Sequence, residues 1–235
     1  MPPPNDSQLP PGRIRGFWDR LVTTDQPLTT AFPESAGELI RAGSLVQLRT
    51  HVPANRAAFQ RWYGEPEIAR LLRHDLKPLS PSHAALYFDS VILPGSARRF
   101  MFAIHEKSTD ALIGTTGLTD FDYGRPGGCF FRIVIGETAS WGHGFGTEAT
   151  RLVMREAFEF HNRTHVNLEV FSYNERAFRA YRRVGFIQTG EHIEWPDPRG
   201  PELHVVEMRL DRERFMLEDR DLQANSREPE GDKTA

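Results

Sequence analysis

The chain of 235 residues is 39% hydrophobic and 26% charged, the profile of an ordinary folded protein, and its length fits one domain with extensions or two small ones. A formal charge of -3 gives no global footprint for nucleic acid or an anionic membrane, and no apolar run approaches the roughly 20 residues that span a bilayer. The single cysteine, Cys129, excludes an internal disulfide, and the N-terminus lacks the basic-then-apolar order of a signal peptide, so the expected compartment is the cytoplasm.

Residues 1 to about 16 are Pro-rich and polar and read as a mobile tail, with Phe17-Trp18 and Leu21-Val22 available to dock on the body or a partner. The mixed stretch from 23 to 44 reads as an irregular wrap rather than a short helix over 36–42. Ordered alternation starts at Leu45, where Leu45, Gln47 and Arg49 interleave with Val46 and Leu48 as in a strand. Two helices are predicted next, over 54–63 with Phe59, Trp62 and Tyr63 on one face, and over 66–73 with Ile68, Leu71 and Leu72 together. A third is predicted over 81–93, opened by Ser80-Pro81 and closed before Pro94-Gly95.

Strands predicted over 99–105, 112–119 and 129–136 follow with connections too short for crossover helices, which implies an antiparallel meander. A helix over 147–160 carries Ala149, Leu152, Val153, Ala157 and Phe160 at helical spacing. A strand over 165–171 leads to Asn174, suited to cap a helix over 175–184, and Gly185 stands where a helix-ending glycine belongs. Two strands, 187–194 and 204–210, flank the loop 195–201. From 211 the chain is charged and poor in apolar residues, and it is expected to be disordered beyond a final helical turn near Met216.

The chemistry concentrates between Phe130 and Ala149. An apolar strand passes through a polar turn into Trp141-Gly142-His143-Gly144-Phe145-Gly146-Thr147, and an amphipathic helix begins at once. Backbone without side chains, at the positive end of a new helix, suits a phosphate. Gly144-Phe-Gly146-Thr-Glu-Ala149 also fits the dinucleotide pattern G-x-G-x-x-A, with Glu169 about 20 residues on. Two features oppose that assignment. Glu137–His143 separate the strand from the first glycine, and the three preceding strands lack the crossover helices of a parallel sheet. A purely structural glycine turn is the remaining alternative.

The same segment resembles the pyrophosphate loop of the GNAT superfamily of acyl-CoA-dependent N-acetyltransferases, with Trp141 in the first position of the usual Arg/Gln-x-x-Gly-x-Gly/Ala. That departure is itself similar to the ribosomal-protein N-terminal (Rim-type) branch. Asn174 followed by Tyr181-Arg-Arg-Val-Gly185-Phe186 resembles the family's second signature, N…Y-x-x-x-G-F. The resemblance implies an α/β (α+β) fold over 45–210, between an extension (1–44) and a tail (211–235). Its mixed central sheet would splay between the fourth and fifth strands. It implies acetyl-CoA as cosubstrate, with the pyrophosphate surrounded by backbone N–H groups of His143, Gly144, Phe145, Gly146 and Thr147, and with Trp141 and Gly142 in the same cofactor site. Strand amides near Ile133, Val134 and Ile135 and the region of Asn174 would meet the pantetheine arm and polarise the thioester. Tyr181, protonated at neutral pH, would donate to the departing thiolate, or else simply pack on its helix face. Glu169 occupies the position of a candidate base for the attacking amine, with Glu137 or a water chain as alternatives. Glu148, in the first turn of the helix, reads as structural.

The resemblance also places the acceptor between the early helices and the last hairpin. Trp62, Tyr63, Glu65 and Glu67 would lie on one side, and Glu191, His192, Glu194, Trp195, Asp197 and Glu202 on the other. Such a set suits a cationic amine, either a protein or peptide N-terminus or a small molecule such as a polyamine or aminoglycoside. No metal is expected, because His161 and His165 lack a third ligand nearby. Cys129 reads as a core residue. Neither nucleic acid nor membrane is an expected partner, and a homodimer is compatible with the sequence. A module that binds acyl-CoA without turnover is the alternative from another class.

Overall fold

The computed structural model describes residues 37–122, 126–196 and 200–225. The expectations for residues 1–36, Asp197 and the chain after 225 lie outside these residues. Eight strands form one sheet in the order β1-β2-β3-β4-β5-β6-β8-β7. A hairpin of β1 (Leu39–Ala42) and β2 (Val46–Arg49) opens it, and β3 (Met101–Glu106), β4 (Leu112–Thr119) and β5 (Gly128–Ile135) continue antiparallel. The β3–β4 and β4–β5 pairs are antiparallel and their connections are too short for a crossover helix, which disposes of the dinucleotide alternative. β6 (His165–Phe171) returns parallel to β5 after a long helical crossover, and β7 (Ile187–Glu194) and β8 (Leu203–Asp211) pair antiparallel at the far edge.

Helices cover both faces. α1 (Arg56–Gly64), α2 (Pro66–Leu72), α3 (Pro81–Tyr87) and α4 (Leu93–Ala97) lie between β2 and β3 in the chain. The third helix does not end before Pro94. The Leu93 N–H bonds the Phe88 carbonyl, five residues back, and Pro94, which has no N–H to give, follows that wider turn. α5 (Phe145–Arg155), extended by a wider turn to Phe160, makes the crossover, and α6 (Glu175–Val184) follows β6. Ala149, Leu152, Val153 and Met154 of α5 and Tyr181 and Val184 of α6 bury against Phe131, Val166, Leu168, Val170, Val206 and Met208 of the sheet. Alternation along β6 sends Val166, Leu168 and Val170 into this core and turns Asn167 and Glu169, only partly buried, to the opposite face.

Two expectations at the ends of the domain need correction. β1 stands where an irregular wrap was expected. Its four residues show no apolar alternation, and distant ion pairs hold it, from Arg41 to the fully buried Glu156 and, at 2.9 Å, to Glu159. The extra strand makes the expected fourth and fifth strands the fifth and sixth. The supposed disordered tail begins as α7 (Arg212–Asn225), anchored by the fully buried Phe215 and by Asp219, which accepts two hydrogen bonds from Arg155 at 2.9 and 3.0 Å.

Candidate active site

The glycine loop owes its sequence to conformation before space. Gly142 and Gly144 both sit at φ +84°, where a side chain would be strained. Yet a Cβ at Gly142 would meet nothing within 4 Å, and one at Gly144 only Leu45 Cδ1 at 3.4 Å. Gly146 differs. Its backbone is that of an ordinary helix, and a methyl there would come no nearer than 3.7 Å to Ile135 Cγ1. The first intrahelical bond of α5 runs from Glu148 N–H to Gly144 O at 3.0 Å, so the N–H groups of Phe145, Gly146 and Thr147 precede the ladder. Trp141 fastens the loop to the strand before it, its Nε1–H donating to Ile135 O at 2.7 Å, and the Arg176 guanidinium lies 3.6 Å above its ring.

Glu148 turns away from this cradle. It accepts from Ser44 N–H at 2.8 Å and from Leu45 and Val46 N–H at 2.7 Å each. Burial alone would raise its carboxyl, but the Ser44 hydroxyl and these amides outweigh burial and hold it below the usual carboxylate range. Its charge is spent on the β1–β2 hairpin and does not oppose an anion in the loop.

β5 and β6 pair at Gly128 with His165, Cys129 with Val166 and Phe130 with Asn167, and no further. Beyond that point β5 keeps its register with β4 and β6 with β8, so the strands part with their outer edges satisfied. Gly136 N–H donates to Ile113 O of the β4 side, and alternation sends the main-chain groups of Val134 and Arg132 the same way. The groups of Ile133 and Ile135 therefore face the gap, which removes the Val134 amide from the expected set. Unpaired backbone in mid-sheet is a ready hydrogen-bonding surface for a ligand.

Gap and cradle join in one cleft of about 220 Å³. Ile133, Val134, Ile135, Trp141, Gly142, Gly144, Phe145, Gly146, Thr147 and Asn174 line it, while the exposed His143 stacks on Phe145 outside the lining. Asn174 accepts from Ala177 N–H at 3.3 Å, which caps α6, and Gly185 closes that helix at φ +106° with Phe186 N–H bonded to Tyr181 O at 3.1 Å. This short, doubly capped helix presents Tyr181 to the cleft, edge-on to Phe131 at 6.1 Å. Burial pushes its phenol well above the ordinary tyrosine value, so the proton stays on until a strong acceptor appears beside it.

Glu169 lines the cleft from β6. Burial raises its carboxyl, and the nearby His74, His192 and Arg132 only partly oppose this. A carboxylate so placed is a better proton acceptor than one in water. Glu137 does not line the cleft. Its Oε1 accepts from Trp62 Nε1–H at 2.9 Å and from Arg61, which leaves it no part at the gap.

The expected acceptor wall is different in kind. Trp62 is 1% exposed and its ring covers Gly136, and Tyr63 stacks on Phe59 at 4.0 Å, so both are core residues. Glu65, Glu67, Glu191, Trp195 and Glu202 are exposed and outside the lining. The cleft is lined instead by Ile68, Leu71 and Leu72 of α2, by Phe171, and by His74 in the loop after α2. His74, Arg132 and Arg176 went unread in the sequence, since no periodicity or spacing singles out one polar side chain in a loop, on a strand or behind a helix cap.

Cys129 is buried and its thiol is pushed up to about 12 by burial, which leaves it inert at neutral pH. Among the described residues no group of three or more His, Cys, Asp or Glu could hold a metal, and no helix is long and apolar enough to cross a membrane.

Comparison with known proteins places this geometry. Residues 46–187 match the acetyltransferase (GNAT) domain family. No curated protein matches significantly. Among solved structures, spermidine N-acetyltransferase from Vibrio cholerae, in complex with CoA and spermine, superposes with a TM-score of 0.63 at 18% identity, covering 74% of this chain and 99% of the other. A GNAT-family acetyltransferase from Bacillus anthracis gives 0.61 at 10% identity over 76% and 99%. An aminoglycoside acetyltransferase in complex with coenzyme A gives 0.58 at 18% identity over 73% and 98%. At these identities the structures attest the fold, and the family match, which spans more than half of the sequence, carries the assignment. The chain belongs to the GNAT family of acyl-CoA-dependent N-acetyltransferases.

Proposed function

We propose that this acetyltransferase transfers acetyl from acetyl-CoA to the free N-terminus of a peptide or protein by direct attack in a ternary complex. One observation carries the chemistry. The stretch of β5 that no longer pairs with β6, Glu169, Tyr181 and the glycine cradle all line a single cleft. N–H groups of Phe145, Gly146 and Thr147 and the positive end of α5 receive the pyrophosphate, and Arg176 adds a charge beside them. The gap amides of Ile133 and Ile135 hold the pantetheine and stabilise the oxyanion that forms on attack. Glu169 takes one proton from the incoming ammonium, and the second, lost from the nitrogen as the tetrahedral intermediate collapses, replaces the one that Tyr181 gives to the leaving thiolate.

Support for a peptide acceptor comes from the motif likeness to the Rim-type branch and from the apolar shelf of Ile68, Leu71, Leu72 and Phe171 beside Glu169, which suits the first side chain of a peptide. A second reading, a small polycation, is favoured by the carboxylates of Glu169, Glu194 and Glu207, gathered on one face of the last three strands. The spermine held by the Vibrio cholerae enzyme belongs to this second class. Thiol release from acetyl-CoA, measured with short peptides, spermidine and an aminoglycoside, separates them. The proposal expects release with peptides and its loss when their N-terminus is blocked. Release with spermidine alone would shift the assignment to the polyamine.

A further inference from the structure

Acetylation of an ammonium frees one proton per turnover beyond the one that leaves with the thiol, and that proton must exit a cleft in which Glu169 is mostly buried. The exit is visible on the acceptor side. His74 Nε2 stands 3.7 Å from Glu169 Oε2, and on the other edge of the ring Nδ1 meets Glu194 Oε2 at 2.5 Å. Glu194 is held in turn. Its Oε1 is 3.1 Å from His192 Nε2, and His192 Nδ1 is 3.0 Å from Glu207 Oε1. Glu207 is the cross-strand partner of Glu169, and the absence of a side chain at Gly190, where a Cβ would come within 2.7 Å of Glu207 Oε2, leaves room for its carboxylate. Phe171, edge-on to His74 at 5.3 Å, walls the ring from the other side.

We propose that His74 is the outlet for the amine proton, a positioning residue that unloads Glu169 and is itself fixed in tautomer and orientation by Glu194. The proposal rests on the reading that Glu169 receives that proton. Glu194 is a carboxylate acceptor, so Nδ1 carries the hydrogen and the Nε2 lone pair faces Glu169. The N–H bond of the ammonium breaks and an O–H bond forms at Glu169. That O–H bond then breaks as an N–H bond forms at Nε2, a small rotation or one water closing the 3.7 Å. The imidazolium so formed lies against anionic Glu194. It returns its proton to water at the cleft mouth, where the His74 side chain is 39% exposed, and Glu169 is again a carboxylate.

The groups facing the ring agree with this direction. Burial would raise Glu194, but the hydrogen bonds of His74 and His192 hold it below its ordinary value as a standing anion. His192 is shifted the opposite way. Burial would lower it, and the hydrogen bond of Glu194 with the charges of Glu169 and Glu194 raises it instead. Arg132 on β5 and the Arg73–Asp75 pair in the loop are the other charged groups close by.

The test combines turnover with a readout that needs none. His74→Gln and Glu194→Gln should lower kcat about 10- to 100-fold, part of the range for general acid–base help, and leave the KM for acetyl-CoA unchanged. The acid limb of the kcat–pH profile should change shape in both. Added imidazole should restore turnover to His74→Gly. Nitrogen-15 NMR of the full-length protein should find His74 with its hydrogen on Nδ1 in the wild type, and a mixture of tautomers in Glu194→Gln. Hydrogen on Nε2 in the wild type, or an unchanged kcat and pH profile in His74→Gln, overturns the proposal. A wild-type enzyme that releases no thiol with any amine overturns the reading it rests on, while the tautomer still decides for or against the Glu194–His74 pair.

Discussion

At the scale of single residues, Gly144 and Gly146 of the loop make separable claims. Gly144 is required by its backbone, so Gly144→Ala should cost about 1 kcal/mol of stability, the penalty of a left-handed side chain, measured by chemical denaturation. Gly146 is required by neither backbone nor packing in the free protein. Gly146→Ala should therefore leave stability unchanged or raise it by about 0.5 kcal/mol. It should nonetheless weaken CoA binding about 10-fold or more in a calorimetric titration, because the methyl projects where a diphosphate meets the helix start. Equal CoA affinity in the two proteins would remove the loop from the cofactor site. Tyr181 makes a different claim. With its phenol held protonated by burial, Tyr181→Phe should lower kcat about 100-fold and move the CoA dissociation constant less than about 3-fold. A variant that binds CoA poorly yet turns over normally at saturation would assign the tyrosine to packing instead.

At the scale of elements, what could be read in the sequence was what lies close together along it. Asn174 and Gly185 delimit α6 within a dozen residues, and strand, glycine loop and helix follow one another without a break, so local chemistry announces them. Long-range ties were silent. β1 depends on Arg41 reaching Glu156, α7 on Phe215 and Asp219, and the His74–Glu194 pair joins residues 120 positions apart. The aromatic face of α1 misled for a related reason: Trp62 and Tyr63 look like pocket residues until Gly136 and Phe59 are seen to pack on them. Glu148 is the testable long-range tie. Its folded carboxyl lies below the unfolded value, so its stabilisation is complete above about pH 5 and is lost as the pH falls through the folded value. Glu148→Gln should cost about 1–2 kcal/mol at pH 7, flatten the pH dependence of stability below pH 5, and speed amide exchange at Leu45 and Val46.

For the domain as a whole, each of these parts serves one arrangement. An antiparallel half-sheet and a second half joined by the α5 crossover share three residue pairs and then diverge, and everything proposed to act on substrate lies along the opening. The cradle, Glu169, His74 and Tyr181 all line the one cleft. Such an opening is stable because β4 and β8 satisfy the outer edges of β5 and β6, so the inner edges can wait for a ligand without unravelling the sheet. A crystal structure of the full chain with acetyl-CoA tests this most directly. The account predicts pyrophosphate oxygens about 3 Å from the N–H groups of Phe145, Gly146 and Thr147, with the thioester carbonyl at the amides of Ile133 or Ile135. A pyrophosphate bound elsewhere, or strands β5 and β6 hydrogen-bonded to each other through Ile135, would contradict it.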